Sequence, residues 1–156
     1  MDSKFSRYVE RLHPSFESLT KMQPVKIPAL PKDVPLKCIY LFSENGRHLY
    51  VGRTNSLKKR LKQHSNPSSQ HNQAVFAFRL AREATGYLEA AYTGSKRRAI
   101  LVAENEEFAA AFMQAKDRVR AMDVRYVEES DQLRQALLEI YVAVVLETPY
   151  NDFGTH

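Results

Sequence analysis

Glu139 is the one ionisable carboxylate in the run Ala136 to Leu146, which otherwise reads Ala-Leu-Leu, then Ile-Tyr-Val-Ala-Val-Val-Leu. A helix that is apolar almost all round belongs inside a protein. A carboxylate placed there loses hydration and needs a cation or hydrogen-bond donors in return. Two readings follow. One is an ion pair with a neighbouring arginine, or a partly solvated place at the rim. The other is a metal ligand, because a lone carboxylate with several waters is a normal way to hold Mg²⁺. A second group gathers between residues 38 and 64: Tyr40, Tyr50, Arg53, Lys58, Lys59, Arg60, Lys62 and His64. A guanidinium offers paired donors to an oxyanion. A tyrosine, with a pKa near about 10, is a poor base until nearby cations favour its phenolate. A histidine titrates near neutral pH, which suits a relay or a general base. Each also has a plainer reading: hairpin tyrosines as core residues with satisfied hydroxyls, Arg60 as a surface cation, His64 as a helix-end residue, the lysines as a solvated face.

The elements that must position these residues can be read in part. Residues 38–42 and 48–52 are short runs of strand formers around Ser43-Glu44-Asn45-Gly46-Arg47, a turn signal, so a hairpin is expected. Loop length decides where the tyrosines point. Asn45-Gly46 as a two-residue loop pairs Tyr40 with Val51 and sends Tyr50 to the opposite face. A three-residue loop, Glu44-Asn45-Gly46, pairs Tyr40 with Tyr50. Only the second lets the tyrosines share a site, and it is the one expected. Asn55-Ser56 caps a helix from about Leu57 to His64. Arg60 and His64, four apart, lie on one side of it and should look toward the sheet.

Residues 1–36 read as an N-terminal helix, ended by Pro14, a second short turn with Phe16 and Leu19, and a proline-rich strap with Pro24, Pro28, Pro31 and Pro35. Ile27, Leu30 and Val34 are its expected anchors. A helix is expected over Gln73–Ala84, ended by Gly86, with a strand at Val75-Phe76-Ala77-Phe78 as the alternative, and Tyr87–Gly94 has no clear assignment. One long helix is expected over Lys96–Ala121, with Leu101, Phe108, Phe112, Ala115 and Val119 on its buried stripe. A third strand follows near Val124–Val127, then a last helix capped by Ser130 or Asp131 and stopped ahead of Pro149. The fold expected is α/β (α+β): a small three-stranded antiparallel sheet, an N-terminal β-hairpin plus one later strand, flanked by helices. Residues 37–156 form the main domain, with a helical insertion at about 66–122.

The chain has 156 residues, a formal charge of +5 and a sequence pI near 9.3. Such a balance suits a polyanionic partner without proving one. No apolar stretch is long enough for a membrane helix, and no signal peptide opens the chain. With Cys38 the single cysteine, an internal disulfide is excluded. A cytoplasmic location is therefore expected.

Cys38-Ile39-Tyr40, then Tyr50-Val51-Gly52, then Arg53 through Leu61, resembles the GIY-YIG nuclease superfamily. Glu139 and Asn151, the latter in Pro149-Tyr150-Asn151, match that family's distant glutamate and following asparagine. The resemblance covers about residues 38–64 and 124–152. It implies that Tyr40 and Tyr50 are the motif tyrosines, one helping to activate the nucleophile and the other positioning it or the phosphate. It implies that Gly52 lets the backbone pass close to the site, that Arg53 lies near the phosphate, and that Arg60 clamps the scissile phosphate. His64 matches a position often held by histidine or tyrosine. Glu139 would hold the divalent metal, Mg²⁺ or Mn²⁺, and Asn151 would support the site by hydrogen bonding. One departure is Cys38, where the family's first motif glycine stands. On a strand and without a family role, it reads as a small buried hydrophobe.

Physical chemistry runs parallel to the resemblance. Hydrolysis of a phosphodiester needs an activated water, neutralised phosphoryl charge and a stabilised leaving oxygen. Arg60 suits the second need, and a metal on Glu139 the third. Arg53, Lys58, Lys59, Arg60 and Lys62, with a second cluster at Lys96-Arg97-Arg98, give salt-dependent affinity for DNA. Lys116-Asp117-Arg118-Val119-Arg120 reads as ordinary helix surface, and His71 as a loop residue. The reading is a metal-dependent DNA endonuclease. Its alternative is a non-catalytic nucleic-acid-binding module on the same scaffold, which should have lost some of Tyr40, Tyr50, Arg60, Glu139 or Asn151. Cleavage of both strands would need a dimer or two visits.

Overall fold

The computed structural model describes residues 1–87 and 94–154, without the side chains of 94–97. The expectation for Tyr87–Gly94, and the Lys96 and Arg97 side chains, lie largely outside the described residues. The chain divides into two compact units, Met1–Arg60 with Met122–Asn151 and Leu61–Ala121 with Asp152–His156.

The first unit is built on a three-stranded antiparallel sheet in the order β2-β1-β3, with β1 at Cys38–Glu44, β2 at Arg47–Thr54 and β3 at Asp123–Glu128. This is the mixed fold expected from the strand-forming runs. Two helices precede the sheet, α1 at Ser3–Glu10 and α2 at Leu12–Lys21. Pro14 therefore does not end the helical segment. It sits in the first turn of α2, where a missing N–H costs nothing. The strap then forms a short 3-10 turn, Ile27–Ala29. Ahead of that turn Val25 pairs with Val124 through two backbone hydrogen bonds, 2.9 and 2.8 Å, along the outer edge of β3. Ile27, Leu30 and Val34 are half-buried.

Side chains alternate across a strand. Ile39, Leu41 and Val51 point to one face, where they pack with Leu12 and Leu19 of α2 and with Leu138, Val142 and Ala143 of α7, Gln132–Leu146. The apolar run of α7 predicts burial all round, and that expectation fails. Leu133, Ile140, Val144 and Val145 are exposed, so one side of the helix is covered and the other is not. Composition cannot distinguish the two sides when both are apolar.

The second unit contains α4 at Val75–Thr85, α5 at Gly94–Glu104 and α6 at Glu106–Arg120. Gly86, left-handed with φ 76°, caps α4. The single long helix expected over 96–121 is two helices. Asn105 breaks it, its side chain accepting the N–H of Phe108 as an N-cap, with Glu106 and Glu107 in the first turn. Phe78, Phe108 and Phe112 form the core, with Phe78 and Phe108 ring centroids 5.1 Å apart. Lys116 is not surface. It is buried, with Nζ donating to the carbonyls of Pro67 (2.6 Å) and Ser69 (3.0 Å) and lying 4.2 Å from the centre of the Phe112 ring. Helix α3, Leu57–Ser65, runs from the first unit into the second.

Candidate active site

The opposite face of the sheet carries Tyr40, Phe42, Tyr50 and Gly52. The hairpin does not reach that arrangement by the three-residue loop. Glu44 pairs with Arg47 across a two-residue turn, and Asn45 (φ 52°) and Gly46 (φ 77°) are both left-handed. That turn alone would put Tyr50 on the wrong face. A bulge corrects it: Ser43 pairs with His48, but Phe42 pairs with Tyr50, leaving Leu49 as the extra residue. Tyr40 then lies opposite Gly52, and the tyrosines are diagonal neighbours with ring centroids 6.4 Å apart. Phe42 completes the ring cluster, 5.8 Å from Tyr40 and 6.5 Å from Tyr50.

Gly52 has a specific reason to be glycine. A Cβ built there would collide with the ring and the hydroxyl of Tyr40. What passes close over the bare backbone is the aromatic ring of Tyr40.

Tyr40 is 1% exposed. Burial pushes its phenol well up from the usual 10.0, and the neighbouring Tyr50 pushes the same way. Arg60 pulls back, donating from Nε to the Tyr40 hydroxyl at 3.3 Å, and the Glu139 charge adds a smaller upward push. Burial wins, so Tyr40 is a neutral phenol at neutral pH. Arg60 comes from α3, whose leading Leu57 is buried and donates its backbone N–H to the Leu36 carbonyl.

Glu139, on α7, pairs with Arg53 of β2, with Nε to Oε2 at 3.2 Å. Burial raises the Glu139 carboxyl above its ordinary 4.5, and Arg53 partly offsets that. Both sequence readings of Glu139 bear on this geometry: the ion pair with an arginine is present, and the carboxylate is one on which a cation would be welcome. Among the described residues, no three His, Cys, Asp or Glu side chains gather into a metal site. A donor set of one carboxylate fits an ion that keeps most of its waters, as Mg²⁺ does, and does not fit a caged transition metal.

Asn151 closes the outer edge of β2. Its Oδ1 accepts the Val51 N–H at 2.9 Å and its Nδ2 donates to the Val51 carbonyl at 2.7 Å, while Thr148 donates to Oδ1 at 2.8 Å. The amide thus imitates a neighbouring strand. Lys58 donates to the Lys32 carbonyl of the strap at 2.9 Å, and Lys59 is exposed. His64 is 0% exposed and lies in the second unit. Cys38 is fully buried, and burial, with Glu128 nearby, pushes its thiol up to about 12, which rules it out as a nucleophile at neutral pH.

One positioning residue went unnoticed in the sequence. Gln135, one turn before Glu139 and 1% exposed, donates from Nε2 to the carbonyls of Glu129 (2.8 Å) and Thr54 (3.2 Å). It ties α7 to the ends of β3 and β2, and so sets Glu139 against Arg53. An amide four positions before the carboxylate, on the same stripe of an otherwise apolar helix, was the available signal.

The family model of the GIY-YIG catalytic domain matches residues 36–107. The match supports membership of the GIY-YIG nuclease superfamily. Comparison with curated proteins and with solved structures gives no match. The matched stretch takes in the strand pair and α3, so it covers Tyr40, Tyr50, Gly52, Arg53, Arg60 and His64. It stops before Glu139 and Asn151, which the fold itself brings to Arg53 and Val51. A GIY-YIG domain is of nuclease type, and the nucleases of this family act on DNA and generally use divalent metal ions. Among the described residues, no helix is long and apolar enough to cross a membrane.

Proposed function

We propose that this GIY-YIG domain hydrolyses DNA phosphodiester bonds, one strand at a time, at the cluster of Tyr40, Tyr50, Arg53, Arg60 and Glu139. The carrying observation is the contact of the two tyrosine rings with Arg60 held on the Tyr40 hydroxyl, in a fold that also sets Glu139 against Arg53. Arg60 clamps the scissile phosphate: Nε is directed at Tyr40, and the terminal amino groups form the fork that matches two phosphoryl oxygens. Tyr40, a neutral phenol, positions by hydrogen bonding and does not take a proton in the resting site. Activation of the water falls to Tyr50, the more exposed ring, or to His64. Glu139 would hold the divalent ion, Mg²⁺ or Mn²⁺, which would supply charge neutralisation at the leaving oxygen. Arg53 then exchanges its carboxylate partner for the phosphate. Lys58 and Lys59 add affinity for the DNA backbone, and Asn151 holds β2 in place.

The test is nicking of supercoiled plasmid by the purified protein with Mg²⁺, with Mn²⁺ and with EDTA. Metal-dependent nicking that is lost in Arg60→Gln and Glu139→Ala is expected. Nicking that persists in Glu139→Ala sinks the metal assignment. DNA binding with no nicking under any metal favours a binding module instead.

A further inference from the structure

In the second unit, α4 and α5 frame a small, largely enclosed polar cavity of about 100 Å³. Arg79 and Arg82 line it from α4, three positions apart and so on one side of that helix. Arg98 enters from α5, its guanidinium 5.9 Å from the centre of the Phe78 ring. His71 lines it from the turn ahead of α4. The His71 Nε2 is buried with no hydrogen-bond partner among the described residues. Burial, with Arg98 nearby, holds His71 below its ordinary 6.5, so it is neutral and adds hydrogen bonding rather than charge. Among the described residues, the one carboxylate on the lining is Asp152, whose Oδ1 accepts the Gly154 N–H at 2.9 Å.

The chemistry of this lining selects its ligand. Among the described residues, three guanidiniums against one carboxylate make a concave site of net positive charge, and guanidinium is the group that forks onto phosphate. The volume is well under the roughly 300–1,000 Å³ of pockets for drug-sized molecules. It suits one tetrahedral oxyanion and has no room for a base or sugar. An internal phosphodiester needs an exit on both sides. A terminal phosphate needs one exit, and carries close to two negative charges at neutral pH rather than one.

We propose that this cavity binds the terminal phosphate of a nucleic-acid strand. That the phosphate belongs to nucleic acid rests on the nuclease reading above; that the cavity takes a phosphate does not.

The experiment is fluorescence anisotropy of the full chain in EDTA, with short labelled strands ending in a 5′-phosphate, a 3′-phosphate or hydroxyls only. A phosphorylated end should bind on the order of tenfold more tightly than a hydroxyl end. Inorganic phosphate should compete away that preference. Arg82→Gln and Arg98→Gln should erase it while leaving the melting temperature and hydroxyl-end binding in place. Asp152→Asn, which keeps the bond to Gly154, should enlarge it. If a glutamine variant fails to fold, Arg82→Lys and Arg98→Lys keep the charge, lose the fork and should still reduce the preference. Equal affinity for all ends overturns the proposal, as does a preference that survives the arginine substitutions. Binding of inorganic phosphate alone overturns its nucleic-acid part. Supercoiled plasmid has no ends, so nicking without end preference sinks this proposal and spares the nuclease reading. End preference without nicking does the reverse.

Discussion

Gly52→Ala drives a methyl group into the Tyr40 ring, which is buried at 1% exposure. Overpacking of this kind costs about 1–3 kcal/mol. The urea midpoint should fall by a corresponding amount, and plasmid nicking should fall further than the lost folded fraction explains, because the ring that moves is the one held by Arg60. A variant with unchanged midpoint and unchanged nicking would mean the ring is not fixed there. Glu139 gives a second expectation at this scale. Its folded carboxyl is raised above 4.5, chiefly by burial. The folded state therefore holds a proton more tightly than the unfolded state does. Stability falls as pH rises from 4.5 through the raised folded value, and the cost is fully present above it. Glu139→Gln should then be more stable than the parent at neutral pH, with the gap closing toward pH 4.5, as read by urea denaturation at both pH values. Nicking by the parent should fail on acidification at a pH above the ordinary carboxylate range. A constant stability gap across that range would show that Glu139 titrates normally.

At the scale of elements, Asn151 stands in for a missing strand. Asn151→Ala removes two hydrogen bonds to the Val51 peptide and should cost about 1–3 kcal/mol. Hydrogen exchange at the Val51 amide should lose its protection while amides of β1 keep theirs. Equal protection in both proteins would place the edge of β2 under other control. The same element shows what could be read in the sequence. The strand runs, the start of α3 at Leu57 and the spacing of Tyr40, Tyr50 and Arg60 are local, and local signals survive without a structure. The expected cap by Asn55-Ser56 is not what starts α3, since the Asn55 side chain is instead bonded to Gln132. The bulge at Leu49 carries no such signal, because nothing distinguishes an extra leucine from a paired one. The tyrosines do share a face, by a two-residue turn and a bulge rather than by the longer loop. The break at Asn105 was legible, since an asparagine followed by two glutamates is a helix start, but the hydrophobic stripe continues across it and masks it. The uncovered side of α7 was not legible, because its apolar residues are the same on both sides.

For the whole molecule, the formal charge of +5 matters through where its cations stand. Lys59 is exposed and carries no described side-chain bond, whereas Lys58 is also a tie to the strap through the Lys32 carbonyl. These two neighbours should separate under salt. If both contact DNA phosphates, log Kobs against log salt is linear, and each cation lost lowers the slope by about 0.9 on duplex DNA. Lys59→Gln should show that change alone, with the melting temperature unmoved. Lys58→Gln should show it together with a modest loss of stability, since the strap is released from α3. The loss is modest because Val25 still pairs with Val124, and the Leu36 carbonyl still accepts the Leu57 N–H. A slope unchanged in Lys59→Gln would mean the DNA backbone does not run along that face of α3. The phosphates would then have to meet other cations of the chain.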